Sequence, residues 1–98
     1  MAAYLVANYN VTNPEAFEAY PPAASPTVIA HGGELLAADA ESEAIEGQPR
    51  KVTVILRFPS KEAAHAWHSS DEYVKIMHLR TDNTEGVVIL ADEFVMPG

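Results

Sequence analysis

The chain contains no cysteine, so disulfides and thiolate chemistry are excluded, although that alone does not fix the compartment. Basic residues are scarce. Six lysines and arginines stand against 14 acids, for a formal net charge of −8. An acidic surface repels phosphate backbones, so no nucleic-acid partner is expected. No apolar run is long enough to cross a bilayer, and no membrane partner is expected. The opening stretch MAAYLVANYNV lacks a basic region and passes straight into strand-like alternation, unlike a signal peptide. A cytoplasmic protein is the expectation. There is no phosphate loop, dinucleotide glycine fingerprint or nucleophile elbow. Gly32-Gly33 is too short a glycine run to argue for a cofactor, and none is expected. There is no HExxH motif. His65 and His68 are spaced i, i+3, but His65 projects away from Trp67, so no metal site is expected.

Residues 1–98 read as one domain of ordinary hydrophobic content, 48%. The acidity is uneven. Residues 1–50 carry seven acids and one base, and residues 51–98 carry seven acids and five bases.

Tyr4 to Val11 alternates with period two and predicts a strand. Leu5, Ala7, Tyr9 and Val11 take one face; Tyr4, Val6, Asn8 and Asn10 take the other. Thr12 or Asn13 can cap a helix starting at Pro14. Pro21, Pro22 and Pro26 should interrupt it, giving a short segment, a kink and a second segment to about His31. Gly32-Gly33 ends that segment. Glu34–Ala38 is a second strand. Ala44–Glu46 is a possible continuation of it beyond a polar turn. Lys51–Phe58 is the third strand. Ser60 caps a helix whose buried face holds Ala63, Ala64 and Trp67. Ser69 and Glu72 have capping-box spacing and place a further helix there, with Tyr73, Ile76 and Met77 buried and Arg80 in line with them. Val87–Val95 is the last strand.

The order β-α-β-β-α-β predicts an α+β, ferredoxin-like protomer, an antiparallel sheet with helices on one face. Such a sheet normally shows solvent a polar second face. Here neither face of the strands is cleanly polar, so a second copy of the chain is expected to cover the open one, making a homodimer.

Candidate functional residues concentrate between Lys51 and Arg80. His68 flanks the apolar stripe and is either a general base or a boundary residue at the helix junction. Arg80 lies within an apolar stripe and needs an anionic partner unless its head reaches solvent. Glu46 or another acid would make that a structural ion pair; a substrate carboxylate is the sharper alternative. His31 either meets the carbonyls at a helix end or borders a pocket. Trp67, Tyr73 and Tyr20 are either core or the walls of a cavity, and the two phenols need partners if buried. The nominated lining is therefore Tyr20, His31, Glu46, Trp67, His68, Tyr73 and Arg80. Two functions are carried forward. One is a homodimer binding a small organic ligand between helices and sheet, with His68 as base and Arg80 as anion anchor if it is catalytic. The other is a non-catalytic accessory module in which these residues are core, caps and ion pairs.

The segments VTNPEAFEAY, HGGELL, Glu46-Gly47 and FPSKEAAHAWHSSDEYVKIMHLR occur in the order seen in one family. By them the chain resembles domain-of-unknown-function family 1330 of the dimeric α/β-barrel superfamily. The resemblance implies a ferredoxin-like protomer whose sheet packs against its twin's. It implies no assigned activity. Wider relatives include cofactor-independent monooxygenases and muconolactone isomerases, and shared fold does not transfer chemistry. This chain departs from the family at Ala38-Asp39-Ala40, Asn13 and His68.

Overall fold

Strand β1, Ala3–Val11, runs through the middle of a four-stranded antiparallel sheet and pairs with both β3 and β4. The computed structural model describes residues 1–97. After β1 come α1 (Pro14–Phe17), α2 (Tyr20–Ala30), β2 (Glu34–Asp39), β3 (Val52–Phe58), α3 (Lys61–His68), α4 (Asp71–Thr81) and β4 (Thr84–Asp92). The sheet order is β2-β3-β1-β4, the split βαβ arrangement expected from the element order.

Local chemistry sets most of the boundaries. Asn13 caps α1 by accepting from the Ala16 N–H, and Ser60 caps α3 by accepting from the Ala63 N–H. Gly32 takes the left-handed conformation (φ 78°), and the Gly32 and Gly33 N–H groups close α2 on the Ile29 and Val28 carbonyls. A Cβ on Gly33 would stand 2.5 Å from Val28 Cγ1 and 2.9 Å from Phe58 Cε1, so the turn packs tightly on the core.

Several expected boundaries move. Pro21 sits in the first turn of α2 and Pro26 lies within it, so neither breaks the second segment. The carbonyl four residues before Pro26 belongs to exposed Pro22, where water can replace the missing donor. Ser70, not Ser69, caps α4 by accepting from the Tyr73 N–H; Ser69 instead closes α3 on the His65 carbonyl. Ala44–Glu46 does not resume β2 but lies in the exposed connection to β3. Strand β4 begins at Thr84 and ends at Asp92, three residues earlier at each end than its hydrophobic pattern suggests. Pairing with Val11, Asn10 and Tyr9 draws Thr84, Glu85 and Gly86 into the sheet.

The core lies between sheet and helices. Ala3, Leu5, Ala7 and Tyr9 of β1 are buried, as are Leu56 and Phe58 of β3, and the helices bring Ala24, Val28, Ala64, Trp67 and Tyr73. Phe58 and Tyr73 are wholly inaccessible. Burying a side chain of that kind stabilises the fold by roughly 1.5–3 kcal/mol. The opposite face carries a row across all four strands, Ala37–Ile55–Val6–Ile89, in register. Ile89 is 57% exposed. The shortest extent of the molecule is 16 Å, one helical layer on one sheet, and among the described residues no second layer covers that row.

Candidate functional site

Helix α4 carries the side chains that connect the core to a cavity. Tyr73, in its first turn, is buried with its ring centroid 4.1 Å from that of Trp67. Ser70 links the two helices there, donating to the Trp67 carbonyl while it caps Tyr73. The Tyr73 hydroxyl meets the Tyr20 hydroxyl at 2.7 Å and accepts from Arg80 Nε at 3.4 Å. Arg80 lies seven residues beyond Tyr73, two turns along the same face.

One donor in this network is fixed. A guanidinium only donates. The Tyr73 oxygen therefore accepts from Arg80, and in the bond between the Tyr73 and Tyr20 hydroxyls either oxygen can donate. Burial, followed by the neighbouring Tyr73, pushes the Tyr20 phenol far above its ordinary pKa, so it stays protonated.

Arg80 has no acidic partner among the described residues. The ion pairs there are His31–Glu72, Arg50–Glu85, Arg57–Glu34 and Lys61–Asp92. The structural pairing expected with Glu46 is therefore not formed. Instead Arg80 borders a cavity of about 170 Å³ between the carboxyl end of α4 and strands β1 and β4. Tyr9, Thr81 and Thr84 line it, with Gly86, Val87 and Val88 on the β4 side. Val87 is 50% and Val88 40% exposed, so the cavity is open at the β4 edge. Gly86 pairs with Tyr9, and a Cβ there would stand 2.7 Å from Tyr9 Cβ and collide with the Asn8 carbonyl. Only glycine lets β4 lie this close to Tyr9.

The structure brings Tyr20, Trp67, His68, Tyr73 and Arg80 into one connected group. Within it only Arg80 lines the cavity; Tyr20 and Tyr73 stand behind it. Trp67 is core, and its Nε1 donates to Thr27 Oγ1 at 3.0 Å. His68 is at the exposed rim, its ring centroid 5.8 Å from Tyr73. Partial burial, then the Arg80 charge and His65, hold its pKa below the ordinary value. It does not border the cavity. His31 and Glu46 are not brought to the cavity. His31 Nδ1 meets the Thr27 carbonyl at 3.0 Å, the helix-end contact expected of it, and Nε2 lies 3.6 Å from Glu72. Glu72 is eight residues before Arg80, about 12 Å along α4. Glu46 is exposed in the β2–β3 connection.

Tyr9 is the lining residue that sequence reasoning passed over. Its one available signal was a phenol on the otherwise apolar face of β1. It is 5% exposed, and its hydroxyl has no hydrogen-bond partner among the described residues. Burial raises its pKa against the smaller opposing pull of Arg80.

A family model described as a domain of unknown function, DUF1330, matches residues 2–94. The chain belongs to the DUF1330 family. Among curated proteins none matches it. The DUF1330 chain is similar in structure to RPA0582, a protein of unknown function from Rhodopseudomonas palustris. That likeness has a TM-score of 0.79 at 16% identity, covering 97% of this chain and 84% of the other. It is also similar to Rv0793 from Mycobacterium tuberculosis (TM-score 0.55, 13% identity, 100% of this chain and 98% of that one). A structure described as an antibiotic biosynthesis monooxygenase matches with TM-score 0.56 and 17% identity, over 97% of this chain and 100% of that one. At these identities the likeness shows the fold alone: α+β and ferredoxin-like.

Proposed function

We propose that this DUF1330 protein binds a small organic anion in the cavity between α4, β1 and β4, with Arg80 as its anchor, and that it does so as a homodimer. One observation carries the ligand reading. A half-buried guanidinium with no carboxylate partner among the described residues faces an open cavity, held from behind by the Tyr73 hydroxyl. Burial strips part of the hydration from the Arg80 guanidinium, and Tyr73 and Tyr20 offset that with oxygens rather than a carboxylate, so an incoming anion adds the missing ion pair. The protein's formal charge of −8 repels polyanions at long range, so a small ligand suits the site better than a phosphate polymer.

Dimerisation is supported by the Ala37–Ile55–Val6–Ile89 row on the uncovered sheet face. A second copy of the sheet would bury it. The monooxygenase likeness is one of fold and assigns no reaction here. The position of His68 outside the cavity lining gives no support to a role as base. A non-catalytic binding module fits the same geometry.

Thermal-shift titration with small carboxylates tests the ligand reading. Wild-type protein should be stabilised by an amount that grows with the logarithm of ligand concentration over Kd, and Arg80→Gln should not respond. A response that survives Arg80→Gln would sink it. Sedimentation of wild type and Val6→Asp tests the dimer: the wild type should sediment as a dimer and the variant as a monomer, and a monomeric wild type at micromolar concentration would remove that part of the reading.

A further inference from the structure

We infer that the ligand of this cavity is a monocarboxylate with an uncharged apolar tail, and that Tyr9 is a second ligand-binding residue that donates to the same carboxylate as Arg80. The inference rests on the Arg80 site proposed above and goes further, to the chemical class it accepts. The donor inventory of the walls carries it.

Thr81 and Thr84 look like polar contacts, but their protons are already used. Thr81 Oγ1 donates to the Met77 carbonyl at 3.4 Å, and Thr84 Oγ1 donates to the Arg80 carbonyl at 2.7 Å. Neither has a proton left for a ligand. Among the described side chains lining the cavity, the donors left over are the Arg80 guanidinium protons not given to Tyr73 or Tyr20 and the Tyr9 hydroxyl. Tyr9 is 5% exposed, and since no buried side-chain polar atom among the described residues lacks a partner, its unpartnered hydroxyl is the part that reaches solvent and stays free to donate to a ligand. Tyr9 and Arg80 line the same cavity of about 170 Å³. A carboxylate has two oxygens and accepts from both donors at once.

The remaining walls decide the tail. Gly86, Val87 and Val88 offer no side-chain polar group, and among the described residues no carboxylate lines the cavity. A ligand ammonium would find no counter-charge, and a second carboxylate no second cation. Size gives a further limit. A cavity of about 150 Å³ holds a benzene ring, so 170 Å³ suits a body of about six heavy atoms.

The test is calorimetric titration of the wild-type protein with three four-carbon acids: butyrate, 2-aminobutyrate and succinate. They share a carbon skeleton and differ by an added ammonium or a second carboxylate. Butyrate should bind, with the other two about tenfold or more weaker. Tyr9→Phe should weaken butyrate by roughly tenfold, the scale of one hydrogen bond to a charged group, without changing the order of the three acids. Arg80→Gln should abolish butyrate binding. Equal affinity for all three acids, each lost in Arg80→Gln, would overturn the ligand class while leaving the anion site standing. Butyrate binding unchanged in Arg80→Gln would overturn the site itself. No heat from butyrate overturns the inference outright. Should Tyr9→Phe fail to fold, the wild-type ranking of the three acids still decides the class.

Discussion

At its amino end, α4 starts on the Ser70 cap, Tyr73 is sealed against Trp67, Trp67 donates to Thr27, and His31 reaches both the end of α2 and Glu72. At its carboxyl end, a guanidinium makes one long bond to a phenol, a second phenol has no partner among the described residues, and a cavity lies beside both. The two ends are about 12 Å apart on one helix. Satisfied polar groups at the first end lower the energy of the folded chain by themselves. At the second, a cation without a carboxylate and a phenol without a protein partner among the described residues stay available to a ligand. That difference separates a polar cluster that holds the fold from one that is arranged for a ligand.

The strongest way to test the contrast is to break the closed end. Trp67→Ala removes a side chain 3% exposed and should cost about 3–5 kcal/mol in urea denaturation. Thr27→Val keeps the shape and removes the acceptor of the Trp67 N–H; a loss of about 1–3 kcal/mol is expected in the same assay. At the open end the sign should differ. Arg80→Met replaces an unpaired half-buried charge with an apolar chain, and stability should stay within about 0.5 kcal/mol of wild type or rise. A loss as large as that of Thr27→Val would make Arg80 a structural residue.

The smallest effect is a pH dependence. The folded pKa of His68 lies below its ordinary value of 6.5, so the unfolded chain takes up that proton first. The stability His68 contributes is full above about pH 6.5 and is lost as pH falls through its folded pKa. His68→Asn should therefore lose less stability than wild type between neutral and mildly acidic pH. Superimposable stability–pH curves would contradict the assignment.

Much of the fold was legible because short-range signals agreed with it. Period-two alternation marked β1 and β3, and Asn13, Ser60 and Gly32 marked helix ends. Where prediction failed, a long-range partner had overridden local preference. Thr84-Glu85-Gly86 is poor strand sequence, yet pairing with β1 makes it strand. Helical phase correctly put Arg80 in line with Tyr73, because seven residues are close to two turns. Phase does not say which end of a helix a distant segment reaches: His31 meets α4 at Glu72, near Tyr73 and away from the cavity, and Glu46 lies in the exposed β2–β3 connection. Tyr9 was missed for the opposite reason: on the buried face of a strand, a phenol with a free hydroxyl reads the same as one packed in the core.

The central claim is that Arg80 is an anion anchor and not a structural cation. Butyrate titration of wild type and Arg80→Met, followed by thermal shift, tests it most directly. The account predicts stabilisation of the wild type and no response from a variant of undiminished stability. An equal response from both proteins, or a variant that is simply unstable, would contradict it.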